Sequence, residues 1–312
     1  MPKGRRVASS ACACLVGLWF VASTLALARA EPLVVATTPD LKSITEAVSG
    51  GSVRVETLVQ PGGDPEAFEL RPSHLALVRD AALVVRVGLG FDEWLDRLLR
   101  QAGSATLQPG GAGHLDLSTD IALVEVQGRS VEARSGHAHG AANPHYWLDP
   151  LNAEIMSAHI AEALTRVVPD KRDAIAAAQA RFAADLKAGM QRWASTLEPH
   201  RGAAVVAYHN SWPYFARRFR LNIVDVIEAK EGVPPNAARL AALAARMRES
   251  KVRVILHEPF EPIEASRFLG ERSGAVVVLL APSVGSKPEA KDFFALFDHN
   301  VDLLARALAQ SR

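Results

Sequence analysis

Cysteine is nearly absent: the 312 residues hold two, Cys12 and Cys14. Both lie near the start of an apolar stretch, not after it, where a lipid-modified cysteine would sit. Lys3, Arg5 and Arg6 precede that stretch, which runs over residues 11–27, and Ala28-Arg29-Ala30 follows it with small residues at the two positions a signal peptidase reads. A cleavable secretory signal over 1–30 is therefore expected, with a mature chain starting near Glu31. A membrane anchor is the weaker reading, because the stretch is barely long enough to span and ends in a cleavage-type tripeptide. The mature chain would hold no cysteine. Disulfides and thiolate metal sites are then excluded, and any metal would be held by nitrogen and oxygen donors.

An excess of charge of either sign is also missing. The 35 Lys and Arg against 34 Asp and Glu leave a net charge of +1, so electrostatics supports neither nucleic-acid binding nor a polybasic membrane patch. No short-period repeat is visible. A glycine-rich phosphate cradle is lacking too, since Gly88-Leu89-Gly90 has no third glycine at the required spacing.

What is present is alternation. Short β-branched runs at 33–38, 53–59 and 82–87 are interleaved with helical spacing at 41–48, 73–80 (Ser73 at the cap) and 91–102. Between 103 and 144 the pattern dissolves, with only 121–126 looking extended. Helical spacing returns over 150–197, broken at Pro169-Asp170. The part from Asp170 on would be about 40 Å long at the rise of an α-helix, enough to bridge two lobes. Strands at 203–207, 223–227, 252–256 and 276–280 then alternate with helices at 212–219, 237–250, 264–271 and 289–309. With 49% hydrophobic residues there is material for two cores. The expected class is α/β: two lobes, each a mostly parallel sheet flanked by helices, joined by one long bridging helix, with a ligand cleft between them. The expected boundaries are 31–168, 169–198 and 199–312.

Three segments carry metal-competent side chains at loop-to-helix or strand-to-helix junctions. They are Pro61-Gly62-Gly63-Asp64-Pro65-Glu66-Ala67-Phe68-Glu69, Asn143-Pro144-His145-Tyr146-Trp147-Leu148-Asp149-Pro150 and Ala207-Tyr208-His209-Asn210-Ser211-Trp212. His145 sits between proline and an aromatic pair, a rigid, partly apolar setting that suits a neutral imidazole ligand. His209 ends an apolar strand, which aims it at the cleft. Glu66 offers a carboxylate oxygen that zinc or manganese accepts.

In order and spacing, over nearly the whole mature chain, these segments resemble the zinc- and manganese-binding family of periplasmic solute-binding proteins of metal ABC transporters. The resemblance makes His145 and His209 ligands. Two departures stand out. The family has a histidine ligand where this chain has Glu66, and an aspartate ligand directly before a proline where it has Ala281 before Pro282. Glu258, in Leu256-His257-Glu258-Pro259, is the candidate for the fourth position, with water or a role orienting the other ligands as its alternatives. His137 and His139, in a short loop where the family often has a longer histidine-rich one, are accessory candidates. The resemblance implies a periplasmic monomer that captures one divalent ion, zinc or manganese with ferrous iron as a further option, and delivers it without chemical turnover to the membrane permease of an ABC importer.

Competing readings are a secreted zinc-dependent hydrolase, since three protein ligands and an open position also describe a catalytic zinc site, and a metal-free adhesin or scaffold, motivated by the two replaced ligands. His257-Glu258 begins a zincin motif that fails, because Pro259 breaks a helix and Glu261 stands where the second histidine belongs. Arg86, Arg217, Arg218 and Glu258 would suit an anionic ligand, but that leaves both histidines unexplained.

Overall fold

The structure, a computed structural model, describes residues 31–66, 68–125, 142–228, 230 and 232–310. The expected signal over 1–30 and the accessory histidines His137 and His139 lie outside the described residues.

The first sheet is formed by β1 (Leu33–Ala36), β2 (Arg54–Thr57), β3 (Ala81–Arg86) and β4 (His114–Asp116), all parallel, in the order β2-β1-β3-β4. The second, from β5 (Ala204–Ala207), β6 (Asn222–Val226), β7 (Val254–His257) and β8 (Val276–Leu279), repeats that order as β6-β5-β7-β8. Parallel pairing needs crossover helices, and these cover both faces of each sheet. Period-2 alternation sorts the side chains accordingly. Val34, Ala36, Leu83 and Val85 enter one core, while Leu33, Val35 and Val84 enter another on the opposite face. In the second sheet Val205, Ala207, Val254 and Leu256 face that first core, and Val206 and Ile255 face a third.

The shared core is built on α1 (Pro39–Ser49), α4 (Asn152–Val167), α5 (Arg172–Leu197) and α9 (Phe293–Gln310). Helix α1 starts where Thr38 accepts the Leu41 N–H and Pro39 fills the first turn, and it stops at Gly50 in the left-handed conformation. Helix α5 spans 26 residues, about 39 Å. Its buried stripe Ile175, Ala178, Phe182, Leu186, Gly189, Trp193 and Leu197 recurs every three or four residues. Those residues pack on α1 and α4 in the first lobe and on α9, so one continuous core joins the lobes. The remaining helices are α2 (Pro72–Asp80) and α3 (Trp94–Ala102) in the first lobe, and α6 (Pro213–Phe219), α7 (Ala237–Glu249) and α8 (Glu264–Ser273) in the second.

Three local readings change. The fourth strand of the first sheet is β4, three residues inside the stretch read as loop, too short for a hydrophobic pattern to show. Residues 121–125, read as extended, join no sheet. Their backbone is satisfied across the lobe boundary instead: Tyr214 Oη accepts the Val124 N–H at 3.3 Å, and Arg217 donates to the Ala122 carbonyl at 2.9 Å. Ser73 lies inside α2, whose N-cap is Arg71 with Pro72 as the first helical residue.

Further polar contacts fasten the lobes. The Trp147 indole N–H donates to the Pro282 carbonyl at 3.0 Å, and Arg217 and Arg218 pair with Asp149, which is fully buried. Asp40, at the start of α1 and also fully buried, accepts hydrogen bonds from Ser283 Oγ and the Val284 N–H.

Candidate metal site

In a parallel sheet the loops beyond the strand C-termini gather along one edge, and in both lobes that edge faces the cleft. His209 lies two residues beyond β5, Glu228 two beyond β6 and Glu258 one beyond β7. Glu66 comes from the loop between β2 and α2, where Asp64 Oδ1 accepts the Glu66 N–H at 2.8 Å and fixes the turn through Pro65. His145 immediately precedes a short 3₁₀ turn, Tyr146–Leu148, that leads to α4.

These elements bring three of the expected residues together. Glu66 Oε1 lies 3.2 Å from His145 Nε2, and Glu66 Oε2 lies 3.3 Å from His209 Nε2. One donor atom from each of the three falls within 4.8 Å of the others. Both histidines are buried, and the Glu66 side chain is 11% exposed.

The other ring nitrogens are engaged as well. Asn143 Oδ1 accepts the His145 backbone N–H at 3.0 Å and lies 3.2 Å from its Nδ1. His209 Nδ1 lies 2.7 Å from Glu228 Oε2. An amide oxygen and a carboxylate oxygen can only accept, so both Nδ1 atoms carry protons and both Nε2 atoms are turned to Glu66. A carboxylate facing two imidazole Nε2 atoms needs positive charge between them, supplied by protons or by a metal ion. Burial opposes ionisation of Glu66, but hydrogen bonds and charge from the two histidines outweigh it and hold the carboxyl well below its usual range. Burial likewise opposes the charge on His209, yet Glu228 and Glu66 outweigh it and raise the imidazole well above its ordinary value. The site is built to hold a cation.

Around this group lie residues that sequence reasoning missed. Glu228 is buried and its other oxygen accepts the Gly232 N–H at 2.8 Å. Glu125 Oε2 accepts from Asn143 Nδ2 at 3.1 Å and from Asn210 Nδ2 at 2.8 Å, tying together the neighbours of both histidines. Phe91 and Trp147 pack on the His145 ring at centroid distances of 5.5 and 5.2 Å. The signal for Glu228 was its place just past a strand end, the same place that singled out His209.

Glu258 stands apart from the three. It is fully buried, with Oε1 accepting from Ser211 Oγ at 3.0 Å and from the Trp212 indole N–H at 2.7 Å, and it joins no group of donor atoms within 4.8 Å among the described residues. Burial pushes it up to about 7. At the position of the absent aspartate, the Ala281 N–H and carbonyl are both bonded by the Asn300 side chain, at 2.8 and 2.7 Å. His257 is turned away onto Ser266 Oγ at 2.9 Å and the Glu261 carbonyl at 3.2 Å. Arg86 is taken up by Asp92 and Asp96.

Residues 34–307 match the protein family described as ZnuA, zinc-uptake complex component A, periplasmic. The chain belongs to this family. It is 32% identical over 255 residues to the high-affinity zinc uptake system protein ZnuA of Paracoccus denitrificans (strain Pd 1222), a match covering 71% of this chain and 74% of that protein. To the protein of the same name from Yersinia pestis it is 27% identical over 259 residues, covering 78% and 81%. In three dimensions it resembles a crystal structure of ZnuA with a TM-score of 0.75 at 26% identity, over 89% of this chain and 99% of that one. A ZnuA deletion mutant with zinc bound gives 0.75 at 27% identity, over 89% and 98%. As for membranes, no helix of the described residues is long and apolar enough to cross one.

Proposed function

We propose that this chain captures one divalent metal ion between its lobes, through Glu66, His145 and His209, and delivers it to the membrane permease of an ABC importer. The observation that carries this reading is the convergence of one carboxylate and two imidazoles, drawn from both lobes, on a single point. Glu66 and His145 come from the first lobe (31–168), His209 from the second (199–312), and residues 169–198 bridge them. An ion at that point couples the lobes directly, and the continuous core along α5 limits their opening to a modest movement. Capture exchanges positive charge: the ion takes the place of protons that Glu66 holds against the two Nε2 atoms, so the loaded site gains little net desolvated charge.

The ion is zinc. Two imidazoles with one carboxylate is a donor set zinc binds more tightly than manganese or ferrous iron does, and the ZnuA relatives are named for zinc uptake. Water completes the coordination, and Glu258 acts by fixing Ser211 and Trp212 beside His209. The protein works as a monomer in the periplasm after loss of residues 1–30, as a carrier and not an enzyme.

Equilibrium dialysis against zinc and manganese, on wild type and on His145→Ala and His209→Ala, tests the binding. One zinc per chain, out-competing manganese and lost in both variants, is the expected result. Absence of stoichiometric metal in the wild type sinks the reading. Zinc-dependent growth of cells deleted for this protein, restored by wild type and not by His209→Ala, tests delivery.

A further inference from the structure

A second group of donor atoms adjoins the first and shares one residue with it. A ring nitrogen of His209 and one oxygen each of Glu228 and Glu261 lie within 4.8 Å of one another. All three belong to the second lobe. The two outer members sit on turns braced by hydrogen bonds: Glu228 through the Gly232 N–H, and Glu261 through its own N–H to the Glu258 carbonyl at 3.2 Å and its carbonyl to His257. They differ from Glu66 and His145 in access, because Glu261 is half-exposed whereas Glu228 and His209 are buried. The group therefore forms a step from solvent to the buried site. Beside it, Glu258 Oε2 is buried and has no hydrogen-bond partner among the described residues, although Oε1 of the same carboxylate has two. A buried carboxylate oxygen left without a donor carries a solvation cost that a cation nearby would relieve.

We infer that His209, Glu228 and Glu261 form an outer position for the same divalent ion, occupied before it reaches Glu66 and His145. This rests on the capture function proposed above. The ion first meets the second lobe, where Glu261 reaches solvent, and two carboxylates with one imidazole give a harder, weaker donor set than the inner site. His209 faces both positions, with Nδ1 toward Glu228 and Nε2 toward Glu66, so the Nδ1 proton leaves when the outer position fills, and the ion moves round the ring as Glu228 and Glu261 are exchanged for Glu66 and His145. Sharing His209 also keeps the stoichiometry at one.

The test uses zinc alone and the full mature chain. In Glu66→Gln with His145→Ala the inner site is dismantled while the outer donors remain. This variant should keep metal binding at least about a hundredfold weaker than wild type, and adding Glu261→Gln should weaken it by roughly a further tenfold or more, on the scale of a lost ligand. Glu261→Gln alone should slow zinc association and dissociation by the same several-fold factor in stopped flow while leaving the equilibrium affinity of the inner site unchanged, a measurement that does not depend on the multiple variants folding. Folded double variant with no zinc binding, residual binding indifferent to Glu261, or an unchanged association rate in Glu261→Gln would each overturn the outer position while leaving the capture function standing. Wild type that binds no zinc would overturn both.

Discussion

Oε2 of Glu228 lies 2.7 Å from Nδ1 of His209, and the opposite nitrogen of the same ring lies 3.3 Å from Glu66. The imidazole is thus held between two carboxylates from different lobes, and this governs how the site responds to pH. In the ion-free protein His209 stays protonated above its ordinary range, because the two carboxylates outweigh burial.

Zinc binding should therefore release protons and weaken on acidification. Wherever the ion-free site holds one proton that the loaded site does not, apparent affinity falls about tenfold per pH unit. Since the His209 value is raised, this slope should persist through neutral pH instead of ending near 6.5. Calorimetry in two buffers of different ionisation enthalpy measures the protons released, and a zero count at pH 7 would contradict the arrangement.

Glu228→Gln keeps the shape of the side chain and removes its charge. A carboxylate bonded to a ligating histidine typically contributes about 10–100-fold to metal affinity, so a loss in that range is expected, together with a lower melting temperature, because the buried NH2 must face either the His209 ring N–H or the Gly232 N–H. A chelator competition titration reads the loss of affinity. The pH slope above should also become shallower, because the imidazolium loses the negative charge that faces its Nδ1–H.

Asp40 ties the lobes at a point away from the candidate ligands. Burial raises its carboxyl from 3.8 to about 6, against the hydrogen bonds from Ser283 and Val284. The folded state thus favours the protonated form, so its contribution is fully present below about pH 4 and is lost as pH rises through about 6. Two units correspond to roughly 2–3 kcal/mol. Asp40→Asn, which keeps an acceptor for the Val284 N–H, should gain on wild type by an amount of this order between pH 4 and 7 in denaturant titrations. Parallel curves for the two proteins would refute the assignment.

Gly189 lies in the buried stripe of α5, and a Cβ there would stand 2.8 Å from the Trp193 ring. That ring cannot retreat easily: it is 2% exposed, packs on Phe297 at 5.0 Å and bonds Asp298 at 2.6 Å. Gly189→Ala gains about 1 kcal/mol of helix propensity but overpacks the core, which costs about 1–3 kcal/mol. A net loss of about 1 kcal/mol is expected, read as a lower urea midpoint at unchanged slope. A stabilised variant would show that the indole has room to move.

Much of this was legible from residues alone. Alternation of β-branched runs with helical spacing gave two parallel sheets and the long α5, because periodicity reports which side of each element is buried. His145 and His209 stood out since a histidine next to a strand end or between a proline and aromatics has few bland explanations, and Glu66 was picked out because it stands where the resembled family has a histidine ligand. The three-residue β4 left no pattern to read. Residues 121–125 looked like a strand because Ile121, Leu123 and Val124 pack on the core, while the backbone bonds of the segment go to Tyr214 and Arg217, 90 and 95 residues away in sequence.

Which carboxylates serve the histidines was decided by tertiary structure. Glu228, Glu258 and Glu261 all follow strand ends of the second lobe, and the sequence singled out only Glu258 among them, as the candidate for the fourth position. Sheet order β6-β5-β7-β8 puts β6 and β7 on either side of β5, so the residues beyond them flank His209. The turn at each strand end then aims Glu228 at the ring, Glu258 at Ser211 and Trp212, and Glu261 toward solvent. Local periodicity encodes burial one element at a time, whereas the meeting of Glu66 with His209 depends on how two separately folded sheets are set against α5, and only the packed core determines that.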